Sequence, residues 1–160
     1  MPILNFEPIC AQWGRAMVEA PTKNNSLADQ ENTIAKALSV LVGNGVYAMG
    51  IFLLSRGKKD YAERILTKYL AGLWRECGVL KAEQDPGGEE EMPPDTDQEE
   101  YDHFLLGESD TLDRAIILTI IEKKIATDLP RLILAKKLAE QTMIFARYHA
   151  KAEIASPPAT

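Results

Sequence analysis

The sequence predicts an all-α protein, a single domain of about five or six helices interrupted by a disordered acidic insert. Its 160 residues are enough for one domain with a real hydrophobic core. Aliphatic residues recur at spacings of three and four, and runs that alternate between apolar and polar residues are missing. Most acidic side chains fall in one segment that is nearly free of aliphatic residues. We therefore expect one helical domain spanning residues 1–160, with an insert at about 82–102.

Two helices are predicted before residue 57, or three if the second element is a close pair of helices. The first begins at Pro8, which suits the first turn of a helix, and runs towards Glu19. Ser26, followed three residues later by Asp29, has the pattern of an N-terminal cap. The helix, or close pair of helices, that it opens is predicted to end at Ser55, with the glycine two residues later as its stop.

An uncharged stretch of nineteen residues lies inside this second element, between Lys36 and Arg56. Glycines and polar residues dilute it too strongly for a membrane span. Its glycines, at positions 43, 45 and 50, fit neither a dinucleotide loop nor a phosphate-binding P-loop. The apolar spacing predicts a buried helix, jointed at residues 43–45. On this pattern Gly45 lies on the apolar stripe and would let a neighbouring helix approach closely.

Three further helices are predicted in the rest of the chain. One opens at Asp60 and runs to Gly78, and the next begins at Ser109 or the residue after it. Asp128 caps the last helix, which runs up to a frayed tail at residues 155–160.

The acidic insert accounts for the negative net charge. Between Ala82 and Asp113 there are thirteen of the twenty-four acidic residues and no lysine or arginine. The remaining eleven acidic residues face all eighteen basic ones, so the rest of the chain carries a net charge of +7. Residues 82–102 cannot bury enough apolar surface to offset the entropy of ordering them. The insert is either a plain solvated loop or an acidic decoy that shields a basic face from other polyanions.

No arrangement of residues predicts catalysis, a metal site or a cofactor. His103 and His149 have no cysteine or second histidine at ligand spacing. Cys77 has no evident activating partner, and the paired carboxylates fall in predicted disorder, where nothing could tune them. Because no catalytic constellation is evident, we expect that the protein is not an enzyme. The two distant cysteines, and an N-terminus without a basic region or cleavage site, predict a reduced, cytoplasmic protein.

The last helix is predicted to have a core face and an opposite basic face. The predicted core arc contains Leu134, Leu138, Gln141, Phe145 and Tyr148, extended by the small residues Ala135, Ala139, Thr142 and Ala146. The opposite side carries Lys136, Lys137, Glu140, Arg147 and Lys151, spread over about 22 Å at the helical rise. This side is either an ordinary solvated surface or a binding face for a polyanion backbone.

Two other basic groups are candidates for the same role. One is the cluster of Arg56, Lys58 and Lys59 at a helix end, where favourable interaction with the helix dipole is the alternative explanation. The other is the row of Arg64, Lys68 and Arg75. Rows of basic side chains can bind the phosphate groups of a nucleic acid without contacting its bases, and so without sequence specificity.

Two segments resemble the small helical subunit of the Cmr complex, the fifth Cmr subunit of type III-B CRISPR effectors. The first is "SVLVGNGVYAMGIFLLSRGKK" followed by "YAERILTKYLAGLW", with Asn-Gly inside an apolar helix and a basic turn after it. The second is "LPRLILAKKLAEQTMIFARYHAKAE", with Arg147 and Tyr148 at the family's arginine-aromatic positions. The resemblance covers roughly residues 34–80 and 112–153. The small subunit of the related Csm complex is the alternative within this class.

The resemblance implies a non-catalytic structural role in antiviral defence. Such subunits stack in copies beside the backbone subunits that hold the guide RNA, next to the large polymerase-like subunit, and steady the target RNA. RNA cleavage and cyclic-nucleotide synthesis belong to those partners. The alternative from another class is a helical protein-interaction adaptor without a nucleic-acid role, and salt-dependent RNA binding would separate the two.

Overall fold

Seven continuous helices form the part of the chain that the structure describes. The computed structural model describes residues 5–57, 60–80 and 95–155. The helices are α1 Glu7–Met17, α2 Leu27–Asn44, α3 Val46–Ser55, α4 at 61–76, α5 Asp95–Leu105, α6 at 114–125 and α7 Leu129–Ala155. Two of them contain a π-helical segment, Ile65–Leu70 in α4 and Ile121–Ile125 in α6. The all-α prediction is confirmed, with one or two helices more than expected.

Local capping signals place most of the helix starts. The Ser26 hydroxyl accepts the backbone N–H of Asp29 at 3.1 Å, and the Asp60 carboxylate accepts that of Tyr61 at 2.7 Å. Asp128 lies before α7 as expected, with one carboxylate oxygen 3.4 Å from the backbone nitrogen of Arg131. The start of α6 differs from its prediction, because Asp113 rather than Ser109 is the cap.

The uncharged stretch forms two helices joined at Gly45. Gly45 ends α2 and precedes α3 with a φ of 95°, a backbone conformation that residues with a Cβ rarely adopt. A Cβ added there would meet no heavy atom within 4 Å. The prediction that Gly45 lies at a close helix contact is therefore wrong, and this glycine is needed for its backbone angle instead.

The longest helix, α7, is the axis on which α1 and α2 pack. A stripe of small buried residues on α7 faces these two helices: Ala135, Ala139, Thr142, Ala146 and Ala150. A Cβ on Gly14 of α1 would lie only 2.8 Å from the backbone oxygen of Thr142. The short side chains on both helices therefore allow a close approach of their backbones. Trp74 of α4 is fully buried beside them and donates its indole N–H to the Ala135 carbonyl at 3.1 Å.

Helix α5 corrects the predicted bounds of the acidic insert. The expected disordered segment ended at about residue 102, but Asp95–Leu105 is helical and the Tyr101 and Phe104 rings are buried in the core. The guanidinium of Arg75 lies 4.5 Å from the centre of the Phe104 ring and donates to the Phe104 carbonyl at 2.9 Å. Two aromatic anchors in an otherwise acidic segment are enough to dock this helix.

Some predicted features lie outside the described residues. These are the first part of the acidic insert, the tail from residue 156 onwards, and the pair Lys58 and Lys59.

Candidate nucleic-acid interface

The outer side of α7 combines basic, polar and aromatic side chains. We call Lys137, Gln141, Tyr148 and Lys151 the outer strip. Their spacings of four, seven and three residues put them on one side of the helix, opposite the small buried stripe. All four are exposed, and Tyr148 has 66% of its surface accessible. The strip runs for about 21 Å along the helix, from one lysine to the other.

The four predicted basic residues of α7 divide into two pairs. Arg147 Nε lies 2.9 Å from Glu31 Oε1 on α2, so this arginine ties α7 to its neighbour. Lys136 Nζ lies 3.9 Å from Glu140 Oε1, one turn further along the same helix. Lys137 and Lys151, in contrast, have no ion-pair partner among the described residues. These two lysines are the cations of α7 that remain available to an external polyanion.

The described residues of the other two basic groups make contacts within the fold. Arg56 is exposed, with its guanidinium 5.7 Å from the Phe52 ring, while Lys58 and Lys59 lie outside the described residues. Arg75 is bound to the carbonyls that hold α5, and Arg64 is bound to a carboxylate. Lys68, the third member of this row, is half-buried, with its ammonium group 5.5 Å from the centre of the Tyr69 ring. All three members of the row on α4 therefore make contacts within the fold.

Arg64 belongs to a polar cluster that joins α4 to the end of α1. Its Nε and Nη2 lie 2.9 and 2.8 Å from the two oxygens of Glu19, and the Tyr69 hydroxyl donates to the same carboxylate at 2.5 Å. Burial alone would raise the pKa of Glu19, but the hydrogen bonds from Arg64 and Tyr69 outweigh it and lower this pKa. Burial and the Glu19 contact raise the pKa of Tyr69. The cluster is a structural clamp with little charge left for a ligand.

Among the described residues, the side chains that could bind a metal ion do not cluster, and the two cysteine thiols do not ionise readily. No group of three or more His, Cys, Asp or Glu side chains could hold a metal ion among them. Burial raises the pKa of the Cys10 thiol, and it raises that of Cys77 to about 11, so both remain protonated at neutral pH. In the part of the chain that the structure covers, no helix combines the length and the apolar character of a membrane span.

The outer strip shows where the predicted core arc was wrong. The sequence pattern predicts Gln141 and Tyr148 within the core arc, but both are exposed, and Met143 is buried instead. The buried face is centred on the small residues that the prediction treated as an extension. Their spacing of four, three, four and four along α7 is the signal that could have identified it. A pattern that ranks large apolar side chains above small ones places Tyr148 in the core, which is why it does not predict this exposed tyrosine.

Two hollows open along α7 beside the strip. The larger, of about 420 Å³, lies between the start of α1 and the middle of α7 and has an apolar floor with Lys137 and Gln141 among its lining residues. The smaller, of about 260 Å³, is lined by Phe145, Tyr148, His149 and Ala152. The outer strip is therefore bordered by two shallow, open hollows.

Comparison with protein-family models, with curated proteins and with solved structures finds no match to this chain.

Proposed function

We propose that this protein is a non-catalytic structural subunit of an RNA-guided CRISPR effector, of the type III-B Cmr class, which holds the target-RNA backbone on the outer strip of α7. Its partners are then the backbone subunits, the large polymerase-like subunit, further copies of itself and the guide and target RNA, all in the cytoplasm. The resemblance of residues 34–80 and 112–153 supports the class of complex.

One observation carries the RNA-binding part of the proposal. Lys137 and Lys151 extend from the same side of α7, about 21 Å apart, without an ion-pair partner among the described residues. Unpaired lysines along a helix attract phosphates through charge alone, so the interaction is independent of sequence and weakens with salt. The acidic side chains of the chain are concentrated elsewhere, between residues 82 and 113.

A different surface is compatible with a second function. Val42, Tyr47 and Ile51, near the α2–α3 joint, are apolar side chains with 58%, 41% and 46% of their surfaces exposed. Exposed apolar groups close together are typical of protein contacts. They fit a subunit of a larger complex, and they equally fit a protein-interaction adaptor without RNA.

A pull-down from native cells separates these functions. The effector proposal expects co-purifying RNA together with several protein partners, and RNA loss as the salt concentration rises. Co-purifying proteins without RNA would favour the adaptor.

Charge reversal then tests the surface itself. Because Arg147 and Lys136 take part in ion pairs within the fold, the sharper variant is Lys137→Glu with Lys151→Glu. In the assembled complex this variant should capture RNA less tightly whatever its sequence, and the salt dependence should fall by about one counterion for each lost contact.

The matched control is Lys23→Glu with Lys123→Glu, which changes the net charge equally at two exposed lysines outside α7. If both double variants assemble and bind RNA with the same salt slope, the outer strip does not hold RNA.

A further inference from the structure

The smaller hollow on α7 has the composition of a site for a flat ring. Three of its four lining side chains carry planar rings, Phe145, Tyr148 and His149, and the fourth is the small Ala152. They lie at positions i, i+3, i+4 and i+7, so one helix presents all of them on one side over about 10 Å. Tyr148 is largely exposed, whereas Phe145 is packed partly against the core and so is held in place.

The size and the surroundings of the hollow narrow the choice of ligand. Pockets for drug-sized molecules have volumes of about 300 to 1,000 Å³, and this hollow, at about 260 Å³, is smaller. Lys151 follows Tyr148 by three residues on the same side of the helix, and Lys137 lies three turns before it. A planar group attached to a chain of negative charges would meet the rings and both lysines together.

We propose that this hollow is a nucleobase-stacking site, in which Tyr148, flanked by Phe145 and His149, receives one unpaired base of a single-stranded RNA. This rests on the proposed function, because it adds a base contact to the phosphate contacts of the same strip. Every base has a flat π-face, so stacking tolerates any sequence. A duplex keeps its bases stacked on each other, so the site selects single strands.

The test compares two ligands and three variants of the full-length chain at low salt. The ligands are a short oligouridylate and an abasic ribose-phosphate strand of the same length. Tyr148→Ala should bind the oligouridylate about fivefold more weakly, the low end of what one base stacked on an aromatic ring contributes. It should bind the abasic strand as the unaltered protein does, with the same salt slope, because no charge has changed. Tyr148→Phe, which keeps the ring, should bind both strands normally.

Leu106→Ala is the matched control, since it removes another large exposed side chain, just after α5. It should leave the binding of both strands unchanged. Equal effects of Tyr148→Ala on the two strands, or no effect on either, would overturn the stacking site while the salt-dependent phosphate contacts stand. No effect on RNA together with loss of protein partners in the pull-down would identify the hollow as a protein contact instead. If the unaltered protein binds neither strand, alone or in the assembled complex, both the stacking site and RNA binding by this strip are wrong.

Discussion

Replacing Gly14 by alanine tests whether α1 packs against α7 as closely as the structure indicates. The added methyl group would lie 2.8 Å from Phe145 Cβ, 2.8 Å from the Thr142 carbonyl oxygen and 3.0 Å from the Ala146 nitrogen. Carbon contacts are most favourable at about 3.5 to 4.0 Å, so the helices would have to separate by roughly 0.7 Å. None of these three atoms is the flexible end of a side chain.

The magnitude follows from two opposing effects. Overpacking a core costs about 1 to 3 kcal/mol, and three rigid neighbours place this site near the upper end. Alanine is about 1 kcal/mol more favourable than glycine inside a helix, which offsets part of that cost. The net expectation is a loss of about 2 kcal/mol in the free energy of unfolding. For a chain of this size that lowers Tm by about 4–8 °C.

Gly43→Ala is the control for the propensity effect. Gly43 lies in the last turn of α2, and a Cβ there would meet no heavy atom within 4 Å. The same substitution should therefore leave stability unchanged or raise it by up to about 1 kcal/mol. Urea and thermal unfolding followed by circular dichroism measure both variants. A Gly14→Ala midpoint equal to or above that of the unaltered protein would refute the close packing of α1 on α7.

Three further predictions concern the clamp, α5 and the α2–α3 joint. Glu19→Gln should lower the free energy of unfolding at pH 7. Because the folded-state pKa of Glu19 lies below its ordinary value of 4.5, the difference from the unaltered protein should fade as the pH drops below that value. A difference in stability that persists at low pH would contradict the clamp. Phe104→Ala should lower the free energy of unfolding by about 3–5 kcal/mol because the ring is fully buried, and a small loss would mean that α5 is not docked. Deletion of residues 83–94, in contrast, should leave cooperative unfolding intact. Gly45→Ala should cost about 1–3 kcal/mol, because a φ of 95° with a ψ of −178° is a backbone conformation that only glycine adopts readily. Denaturant midpoints equal to those of Gly43→Ala would exclude that strain.

Part of the outer strip could be read from the sequence, and part could not. Lys137 and Lys151 were placed on a polar side of the last helix by its period alone. That Arg147 has a partner could not be predicted, because Glu31 lies 116 residues before it in the sequence. The pairing of Lys136 with Glu140, in contrast, follows from their i, i+4 spacing on one helix. Tyr148 was assigned to the core, since a periodic pattern ranks faces by the size of their apolar residues and says nothing about which neighbours come near.

The sequence by itself determined the helical class, most helix starts and the separation of charge. These properties are local: a cap such as Ser26 bonds a backbone group three residues away, and apolar residues three or four apart share one face of any helix. Composition alone also assigned most of the acidity to a single segment.

Only the tertiary structure decided which surfaces are buried and which remain free. Burial depends on the helices that meet, and the small stripe of α7 became the core because Gly14 let α1 approach it. Contacts with other helices likewise bury Tyr101 and Phe104 and dock α5, although the residues around these two rings are strongly acidic. Packing between distant segments thus left the outer strip of α7 to face solvent, because α1 and α2 cover its opposite side.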